Sequence, residues 1–546
     1  MTATEGPAEA PPPKRDGGDG ADRLTSGARR LSALTMLSRL LGLVREQVFA
    51  VTLGAGFYSD AFLAAFRIPN LLRDLFAEGA LSTAFVPTYV ATLRNQSREA
   101  AFRLANRVMS TLTIYLGLVA AAAWVFPDPV VHLVAAGFSP EKAALCGTLV
   151  RIMIWFLPTI SLAVAAMGIL NAEEKYTTPG LASSMFNLVA IVGGIVVWFL
   201  APPPVAGATR GYGQTAVIVW ASLTVVGGFA QLAIQVPPLL RLGFRPRLLP
   251  DLGLRDPGTR RIATLMAPAT LGVAAVQVNV VINSTFASMI SDGAISWLNY
   301  AFRLMQLPIG VFGVAVGTTA LTQLSRDAAG QDWDRMRATL QRGLRMVLFL
   351  TVPSTVGLAL LRVPIIRLIY EHGKFSHHAT IETARALSGY AIGLVAYASI
   401  KVVAPAFYAL GRTRVPLIAS VSAVAANLVW NVLTFRRFGH VGLAVGTSLA
   451  ALVNAGVLVF AFDKQIRGFV SRELLVPFAK ILIAAGVMAA MVWLTSTRLE
   501  AAGGTGTISA AFKVLMPIAV GVVVYFFSAR ALRLQEASAL VRRFRG

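Results

Sequence analysis

The sequence predicts an all-α polytopic membrane protein with about fourteen transmembrane helices: two six-helix lobes related by an internal repeat, plus two C-terminal helices. Three observations predict this class. The 546 residues are 56% hydrophobic and only 14% charged, with a mean hydropathy of +0.66, whereas a soluble domain needs a more charged surface. Apolar runs recur along the chain, and basic residues concentrate in alternate loops.

Each apolar run of about 20 residues is long enough to cross the hydrocarbon core as a helix. The runs lie near residues 32–55, 61–92, 105–126, 145–170, 179–200, 214–238, 262–290, 294–323, 342–361, 384–410, 416–435, 441–462, 475–495 and 511–529. An even number of crossings places both termini on the same side of the membrane.

An internal repeat divides the first twelve spans into two copies. The tripeptide AFR at 65–67 recurs at 301–303, an offset of 236, and a proline follows each copy, Pro69 or Pro308. Further repeated features are Pro179 with Pro416 and the tripeptide NLV at 187–189 with 427–429. Six crossings per copy give both copies the same orientation, so their axis lies along the membrane normal and a central cavity separates the lobes.

The predicted domains follow from these spans and from the loop charges. They are a disordered tail at 1–30, an N-lobe at 31–240 with helices 1–6, a C-lobe at 259–463 with helices 7–12, helices 13 and 14 at 475–530, and a tail at 531–546. Arginines cluster after the second, sixth and eighth spans, which the positive-inside rule assigns to the cytoplasm together with both termini. Orientation therefore explains most of the net charge of +23, and nucleic acid is not a predicted partner. The single Cys146 allows no internal disulfide.

Ionisable residues interrupt the second span at depths where a charge costs about 2.5–3.5 kcal/mol. They are Asp60, Arg67, Arg73, Asp74 and Glu78. The preceding span adds Arg39, Arg45 and Glu46, of which Arg39 and Glu46 share a helical face. Such charges indicate a water-lined cavity enclosed by protein.

The eighth span carries one charge, Arg303, at the repeat position of Arg67. If the lobes face each other, Arg39, Arg45, Arg73 and Arg303 approach one cavity and outnumber its carboxylates. An anionic ligand is the natural partner, and guanidinium forks bind phosphate or pyrophosphate oxygens in bidentate fashion.

Three stretches carry a resemblance to a known family: SRLLGLVREQ at 38–47, SDAFLAAFRIPNLLRDLFAEGALSTAFVP at 59–87 and SWLNYAFRLMQLPIGVFGVAVGT at 296–318. Over nearly its whole length the chain resembles the lipid II flippase family MurJ (MviN) of the MOP exporter superfamily. The resemblance implies a monomer of the bacterial cytoplasmic (inner) membrane that moves lipid II, the undecaprenyl-pyrophosphate-linked disaccharide peptide, to the outer leaflet by alternating access. It also implies that helices 13 and 14 form a groove for the lipid tail, and it implies no cofactor.

The resemblance also assigns roles to residues. The family's essential cavity arginines match Arg39, Arg45, Arg73 and Arg303, and its essential aspartate matches Asp60. Further cavity positions match Ser38, Glu46 and Ser296.

Two departures from the family pattern stand out. Gln306 replaces an acidic residue three positions after Arg303, which leaves Arg303 without that local partner. The positions of a sodium site in some members match Asn283, Asn427 and Asn431, which are neutral. A site made of amide and carbonyl oxygens binds sodium weakly because it lacks negative charge, so sodium coupling is not predicted.

Other functions make different predictions. A flippase for another polyprenyl-pyrophosphate-linked oligosaccharide, of the O-antigen type, fits the basic cavity equally well, so the headgroup stays open. A drug or cation antiporter of the same superfamily predicts a cavity dominated by carboxylates and aromatics. An intramembrane transferase or phosphatase predicts carboxylate or histidine clusters for acid–base and metal chemistry. The arginine excess argues against the antiporter. Outside the mixed loop at 362–385, the five histidines and the scattered acids form no such cluster, so enzymatic activity is not predicted.

Overall fold

The computed structural model describes residues 17–75, 80–200, 209–503 and 506–538, and these segments are helices joined by short loops. The helices of the N-terminal half are α1 (Gly17–Leu53), α2 (Phe57–Arg73), α3 (Ala80–Asn95), α4 (Arg98–Val125), α5 (Pro127–Ala135), α6 (Pro140–Met153), α7 (Phe156–Ala172), α8 (Thr177–Leu200), α9 (Thr209–Ala233) and α10 (Val236–Arg241). Those of the C-terminal half are α11 (Pro257–Ser288), α12 (Ala294–Pro308), α13 (Val314–Ala329), α14 (Trp333–Leu360), α15 (Arg362–Tyr370), α16 (His377–Ala409), α17 (Arg414–Gln465), α18 (Arg472–Ala501) and α19 (Thr507–Ala531). The predicted all-α class is confirmed.

The predicted tail needs a correction at its inner boundary. Helix α1 begins at Gly17, so residues 17–30 of the segment predicted as disordered are helical. The run from Ala21 to Leu34 contains no proline and several good helix formers, which lets α1 extend beyond its apolar part. Residues 1–16, Glu78 and residues 539–546 lie outside the described part of the chain.

Two of the predicted spans that contain prolines, 61–92 and 294–323, are not continuous α-helices. A π-type turn at 74–75 follows α2, which contains Pro69. A π-helical segment, Ile309–Gly313, separates α12 from α13 directly after Pro308. Proline has no N–H for the i→i−4 bond, and π-type turns accommodate the resulting break. Both copies of the repeat are therefore broken at corresponding places.

The predicted pair of spans at 416–435 and 441–462 falls within one long element. Helix α17 is bent at Gly439, which has a φ of 55° and is not helical. Nine helical stretches in the described residues are long and apolar enough to cross a membrane. The nine do not include α1, α2, α3, α11, α12 or α13, and α17 counts once. The count of fourteen therefore stays a prediction.

Two lobes pack against each other, with α18 and α19 attached to the second. In the first lobe α1 packs on α8, α8 on α9, and α2 on α6; in the second, α11 packs on α17 and α16 on α17. The lobes meet where α2, α3 and α5 contact α11 and where α2 contacts α12. Helices α18 and α19 pack on each other and on α14, and the Tyr525 hydroxyl donates to the Phe349 carbonyl at 2.7 Å.

The inter-lobe linker, residues 242–256, is fixed to α4. Four polar side chains of α4 bond its backbone at 2.8–3.1 Å: Asn106 bonds Arg245 and Arg247, Ser110 bonds Arg247 and Leu249, Thr111 bonds Asp251, and Tyr115 bonds Leu252. Backbone N–H groups of Asp256 and Arg255 donate to Asp251 and hold the pKa of its carboxyl below the usual range. Asp256 then caps α11 through the Thr259 N–H and pairs with Arg107 of α4.

Candidate functional site

An arginine cluster, made of Arg39, Arg45, Glu46 and Arg303, lies between the lobes. Arg45 Nη2 is 2.6 Å from Glu46 Oε1, and Arg303 Nη2 is 3.3 Å from the same oxygen. The Glu46 side chain is 9% exposed, while that of Arg303 is 46% exposed. One nearly buried carboxylate thus serves two guanidinium groups from opposite lobes.

The partner of Arg303 comes from α1 rather than from its own helix. Position 306 holds a glutamine and not an acid, and Arg303 pairs instead with Glu46, which lies 257 residues before Arg303 in the chain. Arg45 is positioned by a second contact, since its guanidinium lies 5.3 Å from the centre of the Phe186 ring on α8.

Arg39 also reaches across the interface between the lobes. Its Nη1 donates to the Gly310 carbonyl at 3.1 Å, and the side chain is exposed. Gly310 belongs to the π-helical segment after Pro308, where the altered turn leaves a carbonyl available to an outside donor. The break in the helix therefore supplies an acceptor for the N-lobe arginine.

Arg73 lies at the break after α2. Its Nη2 is 2.9 Å from Asp74 Oδ1, and the other oxygen, Asp74 Oδ2, accepts from Gln277 Nε2 of α11 at 2.8 Å. The repeat mate of Arg303, Arg67, has a buried Nε with no hydrogen-bond partner in the described residues. The structure gives Arg73 a carboxylate separate from that of Arg45 and Arg303.

A second charged group joins the lobes at the start of α12. This Asp60 cluster consists of Asp60, Lys142, Gly293 and Ser296. Asp60 is fully buried and accepts four hydrogen bonds: from Lys142 Nζ at 3.0 Å, Gly293 N at 2.6 Å, Ser296 N at 2.9 Å and Ser296 Oγ at 2.6 Å. Gly293 is the N-cap of α12 and has no side chain to cap it. Asp60 of the N-lobe therefore caps a C-lobe helix and meets the positive end of its dipole.

The Asp60 cluster lies where repeat-related residues touch. Ser296 is the mate of Asp60 at the offset of 236 that relates 65–67 to 301–303. Residues related by a two-fold axis contact each other only near that axis, so the pseudo-two-fold axis passes between the starts of α2 and α12. Ser296 is two helical turns, about 10 Å, from Arg303, so the structure separates Asp60 and Ser296 from the arginine cluster.

Sequence reasoning missed Lys142 and Asp292. Lys142 is buried between the two aspartates, with Asp292 Oδ1 at 2.7 Å and Asp60 Oδ2 at 3.0 Å, and Asp292 is 62% exposed. The sequence feature that could have identified Lys142 is that it is a lone lysine near the start of an apolar helix.

The remaining predicted residues form polar contacts within each lobe. The Ser38 carbonyl accepts from Asn187 of α8 at 3.1 Å. In the other lobe Asn431 Nδ2 donates to Asn283 Oδ1 at 2.7 Å and to Asn427 Oδ1 at 3.0 Å. A helix–helix contact made by α8 against α1 is thus matched by α17 against α11.

Among the side chains of Asn283, Asn427 and Asn431, the Asn431 Oδ1 atom is buried and has no hydrogen-bond partner in the described residues. The other two side-chain oxygens accept from the Asn431 N–H groups, and Asn283 Nδ2 lies 3.3 Å from Thr447 Oγ1. No group of three or more histidine, cysteine, aspartate or glutamate side chains among the described residues is arranged to hold a metal. The amides instead bind each other and tie α11 to α17.

Comparison with known proteins identifies the family to which this chain is similar. A sequence model described as lipid II flippase MurJ matches residues 49–512. The lipid II flippase MurJ of Burkholderia cenocepacia is 35% identical over 444 residues, covering 80% of this chain and 83% of the relative. The probable lipid II flippase MurJ of Vibrio cholerae is 33% identical over 491 residues, covering 87% and 90%.

Solved structures agree with the sequence comparison. A lipid II flippase MurJ in an inward closed conformation superposes with a TM-score of 0.76 at 26% identity, covering 91% of this chain and 97% of that one. An inward-facing multidrug resistance MATE transporter of the MOP superfamily superposes with a TM-score of 0.63 at 15% identity, covering 81% and 98%, which shows a shared fold. This multi-pass membrane protein therefore belongs to the lipid II flippase MurJ family.

Proposed function

We propose that this protein moves lipid II from the inner to the outer leaflet of the bacterial cytoplasmic membrane by alternating access. The observation that carries the proposal is the arginine cluster, in which guanidinium groups of opposite lobes share one carboxylate. Family membership supports the substrate, because the relatives are named lipid II flippases.

The pyrophosphate of the substrate is the ligand that suits this cluster. Arg45 and Arg303 each present a fork of donors, while Glu46 supplies only two acceptor oxygens. A pyrophosphate adds acceptors and neutralises the excess positive charge, as charge-assisted bonds to guanidinium groups require. Arg39, whose hydrogen bond within the described residues is to a neutral carbonyl, and Arg73 complete the proposed binding set.

Substrate binding would also loosen the contacts that join the lobes at the cluster. The ion pair of Arg303 with Glu46 and the bond of Arg39 to Gly310 both cross between lobes, and a pyrophosphate competes for both arginines. The Asp60 cluster is buried and fully bonded, so in this proposal Asp60 and Ser296 hold the opposite side closed.

The proposal includes a topology in which both termini are cytoplasmic. Cysteines introduced at Gly253 and Ala502, both exposed, test it by labelling with a membrane-impermeant maleimide, since the native Cys146 is buried. We expect Gly253→Cys to react only from the cytoplasm and Ala502→Cys only from outside, as the loop charges require. Reversed labelling would contradict the orientation.

The protein acts in this proposal as a monomeric transporter and not as an enzyme. It breaks no covalent bond of the substrate, and its arginines bind and release a ligand. Helices α18 and α19, in the predicted region 475–530, would hold the polyprenyl tail against the second lobe.

The decisive experiment is depletion of the protein followed by analysis of lipid-linked precursors in each leaflet. We expect lipid II to accumulate and its exposure on the outer leaflet to fall, with recovery on expression of the wild type and none with Arg303→Ala. Accumulation of another polyprenyl-pyrophosphate oligosaccharide, with lipid II unchanged, would refute the proposal and favour an O-antigen type flippase.

A further inference from the structure

A basic cleft of about 600 Å³ opens where α14, α18 and the segment after α19 meet. Its charged lining consists of Arg345, Arg472, Glu473, Lys480, Arg533 and Glu536. None of these residues belongs to the arginine cluster or to the Asp60 cluster. The volume is in the range of small-molecule sites, about 300–1,000 Å³.

The floor of the cleft is a nearly buried ion pair. Arg345 Nε is 2.7 Å from Glu536 Oε1, and the two side chains are 16% and 6% exposed. Arg345 also donates to Gln535 Oε1 at 3.1 Å and to the Glu473 carbonyl at 3.4 Å. Glu536 is therefore committed to Arg345 and does not neutralise the rest of the lining.

The rim of the cleft keeps three cations: Arg472, Lys480 and Arg533. No carboxylate of the described residues lies within 4 Å of any of them. Glu473 is the one other acid of the lining. The cleft thus carries a net positive charge, and its three rim cations can bind an anion.

Backbone conformation places Arg533 at this rim. Its φ is 55°, and the Leu534 N–H bonds the Ala529 carbonyl at 3.0 Å, as at the left-handed end of a helix where glycine is usual. This left-handed conformation is uncommon for a residue with a side chain. The turn brings residues 534–536 back onto Arg345 and leaves the Arg533 side chain exposed on the cleft.

The position of Lys480 along α18 favours a lipid over a free anion as the ligand of the cleft. Lys480 lies eight residues into α18, about 12 Å along its axis from Arg472, and such a lysine extends its charge toward the headgroup layer. Leu475, Val476 and Ile483 on the same helix are exposed and apolar. An anion that carries acyl chains satisfies both the cations and this apolar surface.

We infer that the cleft binds the phosphate headgroup of an anionic phospholipid of the cytoplasmic leaflet. The headgroup bonds Arg472, Lys480 and Arg533, and its chains lie along the exposed side of α18. Because the cleft includes Arg345 of α14, the lipid joins the α18–α19 pair to the second lobe. The leaflet, but not the site itself, depends on the orientation proposed above.

The test is a titration of the detergent-purified full chain with a short-chain phosphatidylglycerol, read by the apparent Tm, because a ligand of the native state raises it by mass action. We expect phosphatidylglycerol to raise the Tm while phosphatidylcholine does not. The double variant Arg472→Gln with Arg533→Gln should need at least tenfold more phosphatidylglycerol for the same shift.

The matched control is Arg467→Gln with Arg530→Gln, which removes the same charge from exposed positions near the cleft but outside its lining. Equal loss of the response in both double variants would mean a nonspecific charge effect and overturn the site. An equal Tm rise with inorganic phosphate would overturn the lipid assignment. Displacement of phosphatidylglycerol by undecaprenyl pyrophosphate at lower concentration would assign the cleft to the substrate instead. The Tm of each variant without lipid reports its folding.

Discussion

The Asp60 cluster and the arginine cluster both join α12 to the N-lobe through charged groups, but they differ in burial and in saturation. Asp60 is fully buried and accepts four hydrogen bonds. Arg303 is nearly half exposed and shares one carboxylate with Arg45. A saturated buried group has no bonding capacity for a ligand, whereas an undersaturated exposed group does.

The contrast separates two roles that look alike in the sequence. Both clusters combine an arginine or lysine with a carboxylate inside an apolar span. Breaking a buried pair leaves an uncompensated charge and costs about 3–5 kcal/mol of stability. Breaking a half-exposed pair costs little stability, so its loss should appear in ligand binding. Three experiments test this division, from the largest expected effect to the smallest, and a fourth tests the prediction about sodium.

The largest effect is expected for Asp60→Ala, which leaves buried Lys142 with only the exposed Asp292 as a partner and removes the cap of α12. We expect a loss of about 3–5 kcal/mol in stability, seen as reduced membrane abundance and a lower apparent Tm. Asp292→Ala is the matched control, because Asp292 pairs with the same lysine but is 62% exposed, and it should cost less than about 1 kcal/mol. Equal effects of the two variants would contradict the buried role of Asp60.

The second effect concerns ligand binding by the arginine cluster. Arg303→Ala removes charge-assisted bonds of about 1.5–3 kcal/mol, which weakens substrate binding about ten- to a hundredfold and should abolish growth rescue at normal abundance. Arg303→Lys should rescue poorly because the planar fork is lost.

Arg45→Ala combined with Glu46→Gln is the control for a structural role of this cluster. If single alanine variants lose protein and this double variant recovers it, the arginines hold the fold and their substrate-binding role must be withdrawn. Normal abundance with no growth rescue in all variants is the result we expect.

A smaller effect is expected for Ser296→Ala. The variant loses the hydroxyl bond to the Asp60 carboxylate but keeps the backbone N–H bond, so it should lower stability by about 1.5–3 kcal/mol. Transport by the folded protein should be unchanged, measured as growth rescue normalised to abundance. Loss of rescue at normal abundance would mean that Ser296 contacts the substrate, as the family resemblance implies.

The smallest effect is expected from removal of sodium. The amides of Asn283, Asn427 and Asn431 offer no negative charge, so transport should be unchanged when sodium is replaced at constant membrane potential. The uncompensated arginines couple to the potential instead, by about 2.3 kcal/mol per elementary charge per 100 mV. Transport in vesicles that stops without sodium and ignores the potential would contradict this prediction.

Much of this architecture could be predicted from the sequence. Apolar runs marked the helices, and the AFR repeat at 65–67 and 301–303 implied an axis that the contact of Asp60 with Ser296 locates. The π-helical segment after Pro308 was not predicted. A proline shows that a backbone hydrogen bond is lost, but it does not show how the next turn rearranges.

The partners of the charged residues were harder to predict. Residues Glu46 and Arg303 are 257 positions apart, and only the packing of two lobes decides which arginine a carboxylate meets. The separation of Asp60 from the arginines was missed for the same reason, since helical spacing relates residues on one helix and not across an interface.

The inter-lobe linker has a mechanical consequence for how the lobes can move. A free linker of this length spans about 50 Å when extended, at about 3.3–3.6 Å per residue. Hydrogen bonds to α4 immobilise nearly all of it, and Asp256 fixes the start of α11 to α4 as well. Almost no slack remains between the lobes at this end.

Helix α11, the first helix of the second lobe, is therefore attached to both lobes. At its start α11 is held by the N-lobe, and near its end Asn283 binds Asn431 of the C-lobe. A rotation of one lobe against the other would therefore bend α11 along its length. The elastic energy of that bend would return the lobes to their starting arrangement after the cargo leaves.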